Sequence, residues 1–283
     1  MEIIIGKNAG FCYGVQRAVD KALEEAEKDV IYCLGEIVHN QNVLDSLKRV
    51  GVCFINNLEE SEGNTIIRAH GVPKEVYMEA ENKKIKLIDL TCPSVLKIQK
   101  LAEEYSKKGY FIIIVGKANH PEVVGIKSRV ESDYRILDNK SEIFELLNII
   151  NSKKKILLIS QTTHSSKKFD EIVEELKNKI KNDVALEIKK TICPSTEIRQ
   201  KETEEIAKKV DMMIIIGDKR SSNTNKLYDI ACNFCKTVLF ITDENELDIK
   251  NFKGIKKVGI TGGASTPKED ILKIKELILK NFE

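Results

Sequence analysis

The sequence predicts an α/β protein made of three related units with parallel-rich sheets. Apolar runs of strand length alternate with amphipathic runs at helical spacing, and this alternation restarts from a cysteine three times. The cysteine precedes the glycine that ends the next apolar run by 23, 24 and 24 residues, in the pairs Cys12 and Gly35, Cys92 and Gly116, and Cys193 and Gly217. Strands that alternate with helices favour parallel sheets covered by helices.

Each unit has a cysteine where a strand gives way to a helix. The strand-like segment 2–5 comes before Cys12, and apolar residues at helical spacing follow it. Cys92 and Cys193 are each followed by proline, which suits the first turn of a helix because its missing N–H would have no partner there. We therefore predict a helix N-terminus at each cysteine, a position that favours anionic groups such as thiolate.

The strands that follow end in polar loops. His39, His120 and Ser221 each lie four residues beyond the glycine that ends the first strand of a unit. In open α/β sheets, ligands bind beyond the carboxyl ends of the strands, so these loops are candidate binding segments. The predicted strands after the three cysteines are 30–35, 52–55, 65–68, 111–116, 134–137, 156–159, 212–217, 238–241 and 258–260.

The repeat divides the chain into three α/β lobes. We expect lobes at 13–92, 93–192 and 193–283, with the third completed by residues 1–12. Three such units around a pseudo-threefold axis would bring the three anchoring cysteines together, with the polar loops around them.

The composition is that of an ordinary globular protein and excludes several classes of function. Of the 283 residues, 42% are hydrophobic, and the formal net charge of +2 gives no support to a nucleic-acid footprint. No apolar stretch approaches the ~18 residues of a membrane span, and the N-terminus lacks the pattern of a signal peptide. We expect a cytoplasmic protein without nucleic-acid or membrane partners, in which seven cysteines do not form a disulfide framework.

Four cysteines and one histidine fall outside the repeat. Cys33 and Cys53 lie in apolar strands, which predicts core positions. Cys232 and Cys235 have the spacing of a metal-binding pair, but the chain has no second such pair, so we interpret them as structural. His164 has no equivalent in the other units, and the sequence assigns it no role.

The three repeated cysteines predict a metal or redox site. They could hold zinc or an iron-sulfur cluster. Structural zinc normally has four protein ligands and no open coordination position, and a threefold repeat offers no fourth equivalent cysteine. A cubane cluster held by three cysteines would keep one iron open to substrate.

Polar residues in the loops predict an anion site near the cysteines. Three of the four histidines, His39, His70 and His120, occupy loops that follow strands. Helix N-termini attract phosphate, and histidine, serine and asparagine can donate further hydrogen bonds. The corresponding loops of the third unit carry Ser221, Ser222, Asn223 and Ser265.

Two further residues are candidates for the chemistry itself. Glu122 follows His120 and Pro121 and is the best placed carboxyl group for proton delivery. Thr162 lies in the polar loop after segment 156–159, where its hydroxyl could orient a substrate hydroxyl.

Eight motifs, in order along nearly the whole chain, resemble the 4-hydroxy-3-methylbut-2-enyl diphosphate reductase family, also called the LytB/IspH family. They are Gly10-Phe11-Cys12-Tyr13-Gly14-Val15-Gln16-Arg17-Ala18, Arg68-Ala69-His70-Gly71-Val72-Pro73, Thr91-Cys92-Pro93, His120-Pro121-Glu122-Val123, Gln161-Thr162-Thr163, Cys193-Pro194-Ser195-Thr196, Ser221-Ser222-Asn223 and Ala264-Ser265-Thr266-Pro267. Lys226, where arginine is common, and His164 depart from the family pattern.

The resemblance implies a three-lobed trefoil around a [4Fe-4S] cluster. Cys12, Cys92 and Cys193 would hold three irons and leave the fourth open. Glu122 matches the family's proton-relay glutamate, and Thr162 matches the threonine beside the substrate hydroxyl. The implied diphosphate ligands are His39, His70, His120, Ser221, Ser222, Asn223 and Ser265.

The implied reaction is the reductive dehydroxylation of (E)-4-hydroxy-3-methylbut-2-enyl diphosphate to isopentenyl and dimethylallyl diphosphates, the last step of the non-mevalonate isoprenoid pathway. Electrons would come from a ferredoxin or flavodoxin. A non-catalytic iron-sulfur redox sensor or anion-binding protein would also account for the cysteines, but it would leave Glu122 and the histidine loops unexplained. A zinc hydrolase is disfavoured because three thiolates would make zinc a poor Lewis acid.

Overall fold

The computed structural model describes residues 1–282, which contain twelve strands and ten α-helices. The strands are β1 Glu2–Ile5, β2 Ile31–Leu34, β3 Val52–Ile55, β4 Thr65–Ile67, β5 Leu87–Asp89, β6 Phe111–Val115, β7 Tyr134–Leu137, β8 Lys155–Ser160, β9 Ala185–Ile188, β10 Met212–Ile216, β11 Thr237–Ile241 and β12 Lys257–Gly262. The helices are α1 Tyr13–Ala26, α2 Gln41–Arg49, α3 Lys74–Asn82, α4 Pro93–Lys107, α5 Pro121–Lys127, α6 Ile143–Ile150, α7 Ser166–Lys179, α8 Pro194–Ala207, α9 Ser222–Phe234 and α10 Lys268–Phe282.

The strands form three four-stranded parallel sheets with the same topology. Their orders are β3-β2-β4-β5, β7-β6-β8-β9 and β11-β10-β12-β1. One edge strand of each sheet, β5, β9 or β1, leads into one of the three repeated cysteines. In the sheet that contains β12, this edge strand is β1, from the start of the chain. The predicted α/β class with parallel sheets is confirmed.

The chain divides into two compact units. The first unit comprises Met1–Val19, Val38–Arg49 and the chain from Pro194 onward, and it contains the sheet of β1, β10, β11 and β12. The second unit comprises Asp20–Ile37 and Val50–Cys193, and it contains the other two sheets. The three-lobe division with boundaries at residues 92 and 192 stays a prediction.

The central strands fix the loops that carry the polar residues. All five residues of β6 and of β10 are buried, with apolar side chains packed on both faces of each sheet. Continuous apolar runs of this kind are expected where a parallel sheet has helices on both faces. The carboxyl ends of these strands are therefore rigid supports for the loops that follow.

The cysteines outside the repeat differ in their environments. Cys33 is buried, as predicted, whereas the prediction of a core position for Cys53 is wrong, because its side chain is exposed on the edge strand β3. Cys235 is buried at the end of α9 and donates to the Thr237 carbonyl oxygen at 3.3 Å, which is consistent with a structural role. Cys232 is exposed.

Within residues 1–282, no helix is both long enough and apolar enough to span a membrane.

Candidate active site

Glu122 and Thr162 form a buried contact in the second unit. Glu122 lies in the first turn of α5, and its side chain is only 1% exposed. Its carboxylate accepts the Thr162 backbone N–H at 2.6 Å through Oε1 and the Thr162 hydroxyl at 2.7 Å through Oε2. Burial raises the pKa of Glu122 to about 7, although both hydrogen bonds from Thr162 oppose the shift. A carboxyl group with this pKa can hold and release a proton near neutral pH.

The free energy of unfolding should depend on pH through Glu122. Its pKa in the folded chain, about 7, lies above the ordinary value of 4.5, so the folded chain binds the proton more tightly than the unfolded chain. Stabilisation present below pH 4.5 is therefore lost as the pH rises through 7, by on the order of 3 kcal/mol. Glutamine cannot ionise, so we expect Glu122→Gln to gain stability relative to wild type between about pH 5 and pH 8. Urea unfolding at both pH values measures this gain, and an equal difference at both would contradict it.

His70 and His120 lie side by side in the second unit, and His120 is two residues before Glu122 in the sequence. Their ring centroids are 5.6 Å apart, with the planes inclined by 74°. His120 is the N-cap of α5, and its Nδ1 accepts the Glu122 backbone N–H at 3.2 Å, which makes Nε2 the N–H donor of a neutral ring. An N–H donor next to a second histidine suits the binding of an anion.

Two glycines near these histidines leave room for the Gln99 side chain. A Cβ at Gly71, which follows His70, would lie 2.8 Å from Nε2 of Gln99, and one at Gly125 of α5 would lie 2.9 Å from the same atom. Gly71 also has a φ of 73°, in the left-handed region that glycine adopts without strain. The Gln99 side chain thus packs between the loop that carries His70 and helix α5, whose N-cap is His120.

Cys92 and Cys193 are both attached to these loops. Cys92 is the N-cap of α4, and its N–H donates to the Ala69 carbonyl oxygen at 3.0 Å, next to His70. The Cys193 N–H donates to the Thr162 carbonyl oxygen at 3.0 Å, and the Ser94 hydroxyl lies 4.0 Å from Cys193 Sγ. Both thiols are half-buried, and neither is in a disulfide. The second unit therefore connects two of the three repeated cysteines with the Glu122 and Thr162 pair.

Cys12 belongs to the first unit and lies directly before α1. Its N–H donates to the Ala264 carbonyl oxygen at 3.2 Å, and its carbonyl accepts the Gln16 N–H, the first hydrogen bond of the helix. The buried Arg199 side chain of α8 holds the preceding loop by donating to the carbonyl oxygens of Asn8 and Gly10, both at 2.8 Å. The predicted helix N-terminus at each of the three cysteines is confirmed.

A polar cluster lies next to the Ala264 contact in the first unit. The Ser265 hydroxyl donates to the His39 carbonyl oxygen at 3.2 Å and lies 3.5 Å from the Ser221 hydroxyl. Ser221 is the N-cap of α9 and accepts the Thr224 N–H, so Ser222 and Asn223 occupy the first turn of this helix. The N-terminus of a helix provides N–H donors and a positive dipole end for an anion.

Asn223 is 3% exposed, and neither its Oδ1 nor its Nδ2 makes a hydrogen bond within residues 1–282. An amide buried in this way is costly unless a ligand supplies the missing partners. The first turn of α9 is therefore equipped for a polar ligand.

Sequence reasoning missed an ion pair beside this cluster. Asp218 is 7% exposed, and the Arg220 side chain donates to it at 2.8 Å through Nη2. Burial opposes ionisation of Asp218, but the hydrogen bonds from Arg220, together with electrostatic attraction by Arg220 and the nearby His39, hold the pKa of the carboxyl below its ordinary value. Three consecutive charged residues, Asp218, Lys219 and Arg220, immediately before a helix N-cap were the signal in the sequence.

The cysteines are the residues that could hold an iron-sulfur cluster. The thiols of Cys12, Cys92 and Cys193 are half-buried at helix N-termini, and cysteine thiolates are the usual ligands of such clusters. Their surroundings thus fit this donor set. Within residues 1–282, no three His, Cys, Asp or Glu side chains are grouped closely enough to share a single metal ion.

Comparison with known proteins gives consistent matches over nearly the whole chain. Enzymes named 4-hydroxy-3-methylbut-2-enyl diphosphate reductase from Alkaliphilus oremlandii and Clostridioides difficile are 40% identical over 278 residues and 41% identical over 271 residues. The first match covers 95% of each chain, and the second covers 94% of this chain and 95% of the relative.

Two solved structures are also similar. The E-1-hydroxy-2-methyl-but-2-enyl-4-diphosphate reductase of Plasmodium falciparum superposes with a TM-score of 0.90 at 31% identity, covering 98% of this chain and 87% of that one. A structure of (E)-4-hydroxy-3-methyl-but-2-enyl diphosphate reductase, described as the terminal enzyme of the non-mevalonate pathway, has a TM-score of 0.70 at 36% identity and covers 99% and 100% of the two chains.

The sequence model described as LytB protein matches residues 3–279, and the chain therefore belongs to the LytB protein family.

Proposed function

We propose that this chain is a 4-hydroxy-3-methylbut-2-enyl diphosphate reductase. It converts (E)-4-hydroxy-3-methylbut-2-enyl diphosphate to isopentenyl and dimethylallyl diphosphates. The curated relatives carry this name, and the observation that supports the chemistry most directly is the buried Glu122, with its pKa near 7, bonded twice to Thr162. The non-catalytic sensor considered from the sequence has no need of such a carboxyl group.

The proposed cofactor is a [4Fe-4S] cluster held by Cys12, Cys92 and Cys193. When bound, it supplies the two electrons, one at a time, and an open iron that acts as a Lewis acid. A one-electron donor such as a ferredoxin or flavodoxin would reduce it, and we expect the reaction to take place in the cytoplasm.

The chain's own residues supply the orientation and one of the two protons, and the substrate's own diphosphate would deliver the other. In the overall reaction the allylic C–O bond breaks, a C–H bond forms, and two electrons and two protons enter while one water leaves. Glu122 holds the proton that the departing hydroxyl requires. Thr162 donates to both carboxylate oxygens of Glu122, and its hydroxyl would orient the substrate hydroxyl.

The proposed diphosphate ligands fall into two groups. His70 and His120 present imidazoles in the second unit. The first unit presents its polar cluster at the first turn of α9, formed by His39, Ser221, Ser222, Asn223 and Ser265. Hydrogen bonds from neutral donors to phosphate oxygens are charge-assisted and position the substrate for reaction.

Asn223→Ala should weaken substrate binding without lowering the stability of the fold. We expect the KM for the diphosphate substrate to rise about tenfold or more, because a hydrogen bond to a charged group contributes about 1.5–3 kcal/mol. The melting temperature should not fall, because the variant removes a buried amide that has no partner within residues 1–282. Steady-state kinetics and thermal melts measure both effects. Asn233→Ala, exposed near the other end of α9, is the control and should change neither. An unchanged KM in Asn223→Ala would remove this residue from the proposed site.

An anaerobic turnover assay tests the proposed function. Protein with its cluster reconstituted is incubated with the substrate and a reduced viologen dye, and the products are identified by mass spectrometry. Formation of both isoprenoid diphosphates supports the reductase. A protein that holds its cluster and changes its spectrum with redox state, yet converts no substrate, would instead be a sensor.

A further inference from the structure

We propose that His164 is a positioning residue that, together with Asp138, holds the turn presenting Thr162 to Glu122. The inference rests on the proposed reductase function. The family resemblance assigns His164 no role, and its surroundings in the second unit provide one.

The His164 side chain is almost completely enclosed, with 2% of its surface exposed. Its Nε2 lies 3.0 Å from Asp138 Oδ1, and its Nδ1 lies 3.2 Å from the Ser165 carbonyl oxygen. Carboxylate and carbonyl oxygens only accept hydrogen bonds, so the ring is the donor in each bond that it makes. The His164 backbone N–H also donates to the Gln161 carbonyl oxygen at 3.1 Å and closes the turn around Thr162.

The bond to Asp138 links two loops across a third strand. Asp138 follows β7 and His164 follows β8, whereas the order of the sheet is β7-β6-β8-β9. Asp138 is itself anchored, because its backbone N–H donates to Glu142 Oε1 at 3.1 Å. The other side of the turn is held by Gln161, whose N–H donates to the Val115 carbonyl oxygen at the end of β6 at 2.8 Å. His164 thus anchors the turn on the side opposite Gln161.

The turn positions several groups of the candidate site, not only the Thr162 hydroxyl. Thr162 donates its N–H and its O–H to Glu122, and its carbonyl oxygen accepts the Cys193 N–H. A rotation of the turn would therefore move the proton-carrying carboxyl group and the backbone of a cysteine together. Misplacement of reacting groups by about 1 Å can lower rates about 100-fold. A buried residue that fixes this turn affects the rate without contacting the substrate.

The test compares His164→Leu, Asp138→Ala and the conservative Asp138→Asn in the cluster-loaded enzyme. We expect kcat to fall about 10- to 100-fold in His164→Leu and Asp138→Ala, with KM changed less than about threefold. Asp138→Asn should recover most of the rate, because an amide oxygen still accepts from His164 Nε2. Asp138 is part-exposed, so its variants should fold even if His164→Leu does not.

Hydrogen exchange provides a readout that does not depend on activity. Amide exchange at Thr162, followed by NMR or by mass spectrometry of a peptide spanning 160–165, should be at least about tenfold faster in His164→Leu and Asp138→Ala than in wild type. The control is Phe169→Leu, a core change on the following helix α7, which should lower the melting temperature but keep kcat and Thr162 exchange.

These measurements distinguish a failure of the His164 proposal from a failure of the proposed reductase function. Wild-type kcat and wild-type Thr162 exchange in Asp138→Ala would overturn the proposal, as would a loss of rate no larger than that in Phe169→Leu at an equal loss of melting temperature. Absence of turnover in the wild type would refute the proposed function, whereas the exchange measurement would still report whether His164 and Asp138 hold the turn.

Discussion

Glu122→Gln should lower kcat about 10²- to 10⁴-fold, the range that a positioned general acid or base contributes. The substitution removes the proton but keeps the geometry. The side-chain oxygen of glutamine can still accept the Thr162 N–H, and its NH₂ group can donate to the Thr162 hydroxyl oxygen, so both contacts of the carboxylate have replacements. Cluster content should therefore remain close to that of the wild type, and the melting temperature should not fall below the wild-type value.

Anaerobic kinetics with matched iron analysis measures this effect. Glu131→Gln, which changes an exposed glutamate of the same unit, is the control and should retain full activity. A Glu122→Gln enzyme that keeps more than about a tenth of the wild-type kcat would show that another group delivers the proton.

Cys92→Ser should remove most of the bound iron and lower turnover at least about 100-fold. Loss of an outer partner of a metal ligand already costs about 10- to 100-fold in affinity or activity, and loss of a ligand should cost more. Because Cys92 is a half-buried N-cap whose backbone makes the contact to Ala69, serine can keep the local fold. Iron and sulfide analysis after anaerobic reconstitution, together with the visible absorption spectrum, checks the result.

The matched control is Cys232→Ser, an exposed cysteine of α9, which should retain the full iron content. The same experiment on Cys12 and Cys193 should repeat the loss. Full iron content in any of the three variants would exclude that cysteine from the proposed ligand set.

Local sequence patterns predicted most of the secondary structure. Proline after Cys92 and Cys193 predicted helix starts because its geometry acts within one turn, and both helices begin at that proline. The apolar run predicted at 212–217 is the strand Met212–Ile216. Because strands and helices alternate in the same order three times along the chain, these local patterns together predicted the α/β class with parallel sheets.

Contacts between distant residues were beyond the reach of these patterns. Thr162 meets Glu122 across 40 positions, and a carboxyl group's pKa depends on that burial and not on its neighbours in sequence. The pair of His164 and Asp138 was missed because neither residue repeats in another unit. Cys53 was misplaced because an apolar strand does not reveal that it lies at the edge of its sheet.

Mössbauer spectroscopy tests most directly the proposed inner-sphere reduction at a cluster with one open iron. Iron-57-labelled, anaerobically reconstituted protein would be measured with and without the hydroxylated allylic diphosphate. We predict one iron distinct from the other three, whose signal shifts when the substrate is added. A protein that takes up no cluster, or a cluster whose four iron signals do not change when the substrate is added, would contradict the proposal.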